Sequence, residues 1–287
     1  MTEKYGIVRC SNPQPPQARD EIEKIAAIFS SHGMEVVTGQ YLFADEDAFT
    51  PGWVRAEELM KQYQTAGLTN IFDISGGDMA NDAVDYLDYD QIAKSDAVFW
   101  GYSDLTSVIN AIYQKTGRIS HLFQIRNLVR DSTGERLRDF EAWNRNGDDR
   151  LFHFDYEFLR GDTVEGIVVG GNIRCLLKLA GTEYFPDMEG KILLLEALSG
   201  EHPQLAAQFG QLRQLGVFRK VKAVVLGTFT KLEESGIKPT VEEIALRYIP
   251  EKVALIKTKQ VGHARNSKAV RIGGHYRFVK WQKIDKT

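Results

Sequence analysis

Short apolar runs alternate with longer segments of helical periodicity over the first 125 residues. The run YGIVRC at 5–10 precedes ARDEIEKIAAIFSSHG at 18–33, in which apolar residues recur at helical spacing and Gly33 stands at the C-cap position. The same alternation continues through MEVVTG, WVRAEELMKQYQTAG, NIFDIS, DYDQIAKS and DAVFW. A strand and helix repeat of this kind predicts a parallel sheet with helices on both faces.

The alternation breaks down between residues 126 and 165, where charged and aromatic residues and Asn-Gly and Ser-Thr-Gly turns predominate. Beyond this segment, TVEGIVVGGN, GKILLLEAL and KAVVLGTF read as strands, and HPQLAAQFGQLRQLG and TVEEIALRYI read as helices. ALIKTKQVGH and AVRIGGHYRFVKW are further strand-like runs. The sequence therefore predicts an α/β protein with an N-terminal domain at 1–125, a connector at 126–165 and a smaller, mixed, β-rich C-terminal domain at 166–287.

Composition narrows the class of protein. The chain has 287 residues, of which 43% are hydrophobic and 26% are charged, as in an ordinary globular protein. The net charge of -3 and the even spread of basic residues argue against nucleic acid or an anionic membrane as a partner. We see no secretory signal and no apolar window long enough to span a membrane. Because Cys10 and Cys175 form no metal or disulfide motif, we expect a cytoplasmic protein.

One stretch has the context that a catalytic serine requires. FWGYSDLTSVIN at 99–110 passes from an apolar strand through Gly101 and Ser103 directly into a helix. At such a turn a hydroxyl projects and the following backbone N–H can bind an oxyanion. The alternative is that Ser103 or Asp104 only caps the helix, which is the commoner role of these residue types. Leu105 replaces the last glycine of G-x-S-x-G, so the motif alone leaves both interpretations open.

A serine nucleophile also requires a general base and a carboxylate that orients it. His263 follows Gly262 in a loop after a strand-like run, whereas four other histidines read as surface residues: His32, His121, His153 and His202. Glu196 closes the apolar run KILLLEAL, where an unpaired carboxylate would be costly. A loop histidine bonded to backbone and a salt bridge at a strand end are the alternatives.

Two glycine pairs offer backbone N–H groups close to a reacting carbonyl: Gly76-Gly77, and Gly170-Gly171 before Asn172. Turn formation explains either pair equally well. Neither pair is part of G-x-G-x-x-G, and the sequence has no P-loop, H-E-x-x-H or calcium loop. We therefore predict neither a dinucleotide nor a metal.

Several of these segments, taken in order, resemble the serine LD-carboxypeptidases, a family that includes the microcin-immunity peptidases. The resemblance lies in ISGGDMANDAVDYLDYDQIAKSDAVFWGYSDLT, VVGGN, KILLLEAL, QLRQLGVFRKVKAVVLGTFT and VGHA. It extends from the first strand to about Gly274. It implies a flavodoxin-like N-terminal domain, a β-rich C-terminal domain and a Ser-His-Glu triad shared between the two domains.

The resemblance also implies a role for individual residues. Ser103 would be the nucleophile, His263 the general base and Glu196 the residue that orients the histidine. The N–H groups of Asp104 and of Gly77 or Asp78 would form the oxyanion hole. The implied reaction is hydrolysis of an amide next to a free carboxylate, such as release of terminal D-alanine from a cytosolic murein tetrapeptide. It needs no metal or organic cofactor, the partner is a small peptide, and family members are usually homodimers.

The chain departs from the family pattern where substrate is recognised. Ala197 follows the glutamate, ARNSKAVRIGG follows the histidine, and the connector contains Trp143. One alternative function is a self-immunity amidase acting on a peptidyl-nucleotide antibiotic, with Trp143 stacking on the base. A second alternative is a binding module without catalysis. Three cations near the motifs are candidates for a substrate carboxylate, although each reads first as solvated surface charge: Arg174, Arg265 and Lys268.

Overall fold

The computed structural model describes residues 3–44 and 48–280. Its strands, in chain order, are β1 (Lys4–Val8), β2 (Glu35–Thr38), β3 (Leu68–Asp73), β4 (Val98–Gly101), β5 (Ser120–Leu122), β6 (Glu157–Arg160), β7 (Thr163–Asn172), β8 (Ile192–Ala197), β9 (Ala223–Phe229), β10 (Ala254–Lys257), β11 (Val270–Ile272) and β12 (His275–Val279). Its α-helices are α1 (Arg19–Ser31), α2 (Gly52–Gln64), α3 (Ala80–Ala83), α4 (Tyr89–Lys94), α5 (Thr106–Thr116), α6 (Asn127–Arg130), α7 (Glu135–Asn146), α8 (Ile173–Leu177), α9 (His202–Gln214), α10 (Val217–Lys220), α11 (Thr230–Ser235) and α12 (Val241–Tyr248).

The first sheet has the strand order β11-β5-β4-β3-β1-β2, in which the five N-terminal strands are parallel. The order β2-β1-β3-β4-β5 is that of the flavodoxin-like fold. Helices α2, α4 and α5 contribute to the apolar cluster on one face, and α1 contributes to the cluster on the other face. The predicted parallel sheet with helices on both faces is therefore confirmed. We call this sheet and its helices the first lobe.

The second sheet has the strand order β12-β7-β8-β9-β10-β6. Strands β7 to β10 are parallel, and β12 and β6 are antiparallel edge strands. Helices α8, α9, α10 and α12 pack on it through an apolar cluster that includes Leu193, Leu195, Phe209 and Ile244. This second lobe matches the predicted mixed, β-rich C-terminal part. In the described residues, no helix combines the length and apolar character that crossing a bilayer would require.

The segment read as a connector is more ordered than its composition indicates. Helix α7 presents Phe140 and Trp143 to an aromatic cluster with Trp100 of β4 and with Phe152. Strand β6 then joins the edge of the second sheet through β10. Charged residues of the segment are buried as well, since Arg136 and Asp139 of α7 form a buried ion pair at 3.0 Å.

The C-terminal run AVRIGGHYRFVKW does not form one strand-like unit. Strand β11 pairs with β5 of the first sheet, whereas β12 pairs with β7 of the second. Gly273, with φ of +86°, lies between the two strands and permits the change of direction. Trp281 of that run lies outside the described residues. The domain boundaries at 125 and 165 stay a prediction.

The two lobes meet through helix α5. The side chain of Asn110 accepts from the N–H of Gly170 at 2.8 Å and donates to its carbonyl at 2.9 Å. Thr106 Oγ1 accepts from the N–H of Asn172 at 3.0 Å, and a Cβ on Gly171 would lie 2.7 Å from the same oxygen. The Gly170-Gly171 pair therefore permits close contact between the lobes, and the N–H of Gly170 is already bonded.

Candidate active site

The candidate site lies at the carboxyl ends of parallel strands in both lobes. Asn12 follows β1, the Gly76-Gly77 pair follows β3 and Ser103 follows β4. Glu196 is the penultimate residue of β8 in the second lobe. Open parallel sheets bind ligands in the crevice beyond these strand ends, at the point where the strand order reverses. The fold therefore directs the polar residues of both lobes to one crevice.

Ser103 occupies a strained turn between strand and helix. Its φ is +53°, and it is the only non-glycine residue with a positive φ in residues 3–44 and 48–280. A conformation of this kind costs about 1–3 kcal/mol and is typical of functional sites. Neither Ser103 nor Asp104 caps α5, because the helix has no side-chain cap and the Ser103 hydroxyl faces a histidine. The turn thus presents the hydroxyl instead of using it for capping.

Ser103, His263 and Glu196 come together although they are far apart in the sequence. The Ser103 hydroxyl donates to His263 Nε2 at 3.1 Å, and His263 Nδ1–H donates to Glu196 Oε2 at 2.6 Å. Because a carboxylate can only accept, the second bond fixes the proton on Nδ1 and leaves Nε2 free to accept. This tautomer is the one that a general base for a serine hydroxyl requires.

Local packing holds the histidine in place. Gly262 has φ of +143°, and a Cβ there would lie 2.0 Å from Thr228 Oγ1, so only glycine brings the loop this close to β9. Thr228 N–H donates to the Val261 carbonyl at 2.8 Å. The loop that carries His263 is therefore fastened to the end of a central strand next to β8, which carries Glu196.

The histidine and the glutamate are both shielded from water. Their side chains are 4% and 2% exposed, so the hydrogen bond between them is weakly screened. The Tyr102 ring lies against the imidazole, with 4.5 Å between the ring centres. Burial and the nearby Glu196 raise the pKa of the Tyr102 hydroxyl, which keeps that ring neutral. The imidazole therefore packs against an uncharged aromatic ring on this side.

The loop after β3 is hydrogen-bonded to Asn12 at two points, and one backbone N–H between them has no acceptor. Asn12 N–H donates to the Gly76 carbonyl at 3.2 Å, and Asn12 Oδ1 accepts from the Asp78 N–H at 2.9 Å. Among the described residues, the N–H groups of Gly77 and Asp104 have no acceptor. Of the alternatives Gly77 and Asp78, the geometry thus favours Gly77 as the oxyanion donor from this loop, because the Asp78 N–H is engaged.

Two of the three candidate cations are already engaged. Arg174 pairs with the carboxylate of Asp78 and donates to the Gly77 carbonyl at 3.0 Å. Lys268 forms an ion pair with Asp139 at 2.7 Å. Arg265 is exposed on the loop that follows His263. Of the three, Arg174 lies next to the loop after β3 that contains Gly76 and Gly77, which we call the glycine loop.

One histidine prediction was wrong. His121 is buried on β5, and its ring meets Trp100 edge-on with 4.1 Å between ring centres. Burial and the nearby Arg271 lower its pKa to about 3, so it is neutral at ordinary pH. His121 lies shortly after the end of helix α5, as a surface residue would, but it belongs to β5, which continues the parallel sheet.

Sequence reasoning missed Asn12 and Lys178. Asn12 had a signal, since it is a small polar residue directly after the first strand, where the fold places its crevice. Lys178 Nζ donates to the carboxylate of Asp104 at 2.5 Å across the lobes, but it lies in LLKLA, which reads as an ordinary helix end. Only the assembled fold identifies Lys178.

Comparisons with known proteins agree with this architecture. The family model for the LD-carboxypeptidase N-terminal domain matches residues 6–122, and that for the LD-carboxypeptidase C-terminal domain matches residues 165–278. The carboxypeptidase-type protein YocD of Bacillus subtilis is 30% identical over 255 residues, which cover 78% of this chain and 77% of YocD. The microcin C7 self-immunity protein MccF of Escherichia coli is 27% identical over 81% of this chain and 77% of its own.

Solved structures show the same fold. MccF in complex with glutamyl sulfamoyl guanosine superposes with a TM-score of 0.83 at 21% identity, over 96% of this chain and 92% of that one. Muramoyltetrapeptide carboxypeptidase from Oxalobacter formigenes gives a TM-score of 0.79 at 21% identity, over 97% and 95% of the two chains. The chain belongs to the LD-carboxypeptidase family of serine peptidases.

Proposed function

We propose that this protein hydrolyses the amide bond next to a free carboxylate, and that its substrate is a murein tetrapeptide from which it releases the terminal D-alanine. The observation that carries the proposal is the pair of hydrogen bonds from Ser103 through His263 to Glu196. Relatives that are named for murein peptide and murein tetrapeptide substrates support the substrate class.

The first half of the proposed reaction forms an acyl-enzyme. Ser103 Oγ attacks the carbonyl carbon of the scissile amide while His263 Nε2 takes the hydroxyl proton, and Glu196 stabilises the imidazolium. The N–H groups of Gly77 and Asp104 bind the oxyanion. The C–N bond then breaks, and His263 gives its proton to the amine of the departing D-alanine.

The second half restores the enzyme. His263 Nε2 takes a proton from water, whose oxygen attacks the acyl carbon; the bond from that carbon to Ser103 Oγ then breaks, and His263 returns the proton to Oγ. The products are the shortened peptide with a new carboxylate and the free enzyme. No step requires an additional oxidant, reductant or group donor. We place the reaction in the cytosol, which fits two free, buried cysteines, and we expect a homodimer.

The self-immunity amidase is the second candidate, because MccF is both a relative and a structural match. The expected stacking platform does not support it. Trp143 lies in the aromatic cluster with Trp100 and Phe140, at ring-centre distances of 4.8 and 5.5 Å. A ring held there is not free to stack on a nucleotide base. We therefore rank the murein peptide first.

The test uses the native protein, Ser103→Ala and the control Ser132→Ala, which changes an exposed serine of the connector. Each is incubated with murein tetrapeptide ending in D-alanine and with the isomer ending in L-alanine. We expect native and control protein to release D-alanine and Ser103→Ala to be slower by about 10⁴-fold or more. Equal release by Ser103→Ala would reject the nucleophile. Glutamyl sulfamoyl guanosine is assayed in the same way, and its hydrolysis without hydrolysis of the tetrapeptide would instead favour the amidase.

A further inference from the structure

The residue after Ser103 carries a completely buried carboxylate. Asp104 accepts from the Ser11 hydroxyl at 2.6 Å, from the Ala80 N–H at 2.8 Å and from Lys178 Nζ at 2.5 Å. A carboxylate taken out of water requires such donors. These three come from the loop after β1, from the start of α3 and from the second lobe. The Asp104 side chain therefore joins three parts of the chain directly beneath the nucleophile turn.

Lys178, from the second lobe, binds two parts of the first lobe. Its ammonium also donates to the Asp78 carbonyl at 2.8 Å. One cation thus binds the nucleophile turn through Asp104 and the glycine loop through Asp78. Its side chain is 18% exposed, so the ion pair is poorly screened.

Lys178 joins the turn that contains Asp104 to the loop that contains Gly77. These two segments carry the backbone N–H groups that have no acceptor. Gly77 lies one residue before Asp78, and the second free N–H belongs to Asp104 itself. Gly76 lies beside the nucleophile, since a Cβ built there would be 3.9 Å from the Ser103 Cβ. Donors for an oxyanion must lie about 2.7–3.1 Å from it, and a misplacement of about 1 Å costs about 100-fold in rate. The spacing between the loop and the turn therefore decides whether both donors act together.

We propose that the Asp104 carboxylate and the Lys178 ammonium are positioning residues that set the distance between the Gly77 and Asp104 N–H groups. The second lobe then contributes to the oxyanion hole of the first, as well as supplying His263 and Glu196. This proposal rests on the proposed function, because it assigns these N–H groups to an oxyanion.

The experiment compares Lys178→Met, which keeps most of the unbranched side chain and removes the charge, with Lys178→Arg. Lys115→Met is the matched control. Lys115 forms an ion pair with Glu183, also between α5 and the second lobe, at 2.6 Å and away from the glycine loop. For each variant kcat, KM and the midpoint of thermal unfolding are measured with the tetrapeptide.

We expect Lys178→Met to lower kcat by about 10- to 100-fold with KM changed less than about threefold, since the donors act on the transition state. Lys178→Arg recovers most of the loss, because a guanidinium also reaches both oxygens. Lys115→Met keeps the native kcat. A Lys178→Met enzyme with native kcat overturns the proposal, and so does a loss confined to KM.

Crystal structures of the native protein and of Lys178→Met separate this proposal from the proposed function. We expect the distance between the Gly77 and Asp104 nitrogens to differ by about 1 Å between the two proteins, the displacement that a 100-fold loss requires. An unchanged distance rejects the positioning role even if no substrate is turned over. A changed distance in a protein that hydrolyses none of the substrates supports the positioning role and rejects the proposed function.

Discussion

Gly77 shows how strongly one residue is constrained by its surroundings. Its φ is +127°, and a Cβ there would lie 2.2 Å from Asn12 Oδ1, which holds the following peptide. Any side chain at position 77 would displace the Asn12 side chain, which binds the Asp78 N–H and leaves the Gly77 N–H without an acceptor. The position thus requires glycine for its conformation and for its space.

Gly77→Ala tests this constraint. We expect kcat to fall by about 100-fold or more, because one oxyanion donor is lost or displaced. Gly33→Ala is the control, since Gly33 also has a positive φ but has open space around it at the end of α1. It is expected to cost about 1 kcal/mol of stability and no activity. A Gly77→Ala enzyme with native kcat would contradict the role of this loop.

The candidate triad was accessible from sequence at this scale, whereas the contacts made by the residues around it were not. Ser103, Glu196 and His263 stand at strand ends or in glycine turns, and an ordered resemblance singles them out. Asn12 and Lys178 act through contacts with residues 66 and 74 positions away in the chain. Such contacts are set by which strands become neighbours, and no local pattern carries that information.

Strand β5 carries a buried histidine that makes folding stability depend on pH. Its His121 has a pKa near 3 because burial disfavours the imidazolium, whereas an unfolded histidine has a pKa of about 6.5. Below pH 6.5 the unfolded state takes up a proton that the folded state does not, so folding stability falls as the pH falls. Above pH 6.5 this contribution to stability is fully present.

His121→Phe tests this dependence. Below pH 6.5, we expect His121 to lower the free energy of unfolding of the native protein by up to about 1.4 kcal/mol for each pH unit. The variant has no histidine at this position, so its free energy of unfolding does not show this decrease. Urea unfolding at pH 7.5 and pH 5.0 provides the measurement. His153→Phe, on the exposed connector, is the control and keeps the native slope. Equal slopes for the native protein and His121→Phe would show that His121 is not buried in its neutral form.

Elements with strong periodicity or caps were predictable, and short strands were not. Helix α5 ends at Gly117 with φ of +71°, and α12 begins with the capping box of Thr240 and Glu243, and both signals are local in the sequence. Strand β11 has only three residues, and its pairing with β5 depends on the lobe that lies beside it. Propensity over three residues does not select a partner, so that pairing came from tertiary structure.

The whole molecule functions as two lobes joined where their strand ends meet. Asn110 satisfies both backbone groups of Gly170, and it is completely buried. Strand β11 brings the C-terminal part of the chain back to the first sheet. The crevice with Ser103 on one side and His263 on the other therefore depends on contacts that are built into the fold.

Asn110→Ala tests the junction. It leaves the N–H and the carbonyl of Gly170 without partners, and we expect the free energy of unfolding to fall by about 2–4 kcal/mol. Gln114→Ala is the control, since Gln114 accepts a bond from the Asp187 N–H across the same junction but at the surface. It should cost less than about 1 kcal/mol. If urea unfolding shows the same loss of unfolding free energy for Asn110→Ala and Gln114→Ala, the buried bonds of Asn110 do not stabilise the junction more than a surface bond does.

The most direct test of the account asks whether Ser103, His263 and Glu196 act as one unit. The value of kcat/KM for the tetrapeptide is measured for Ser103→Ala, His263→Ala and Glu196→Gln, and for the protein with all three changes. We expect about 10⁴-fold or greater losses from the first two, about 10³- to 10⁴-fold from Glu196→Gln, and no further loss in the triple variant beyond that of Ser103→Ala. Losses that multiply, or native activity in Glu196→Gln, would contradict a shared catalytic unit.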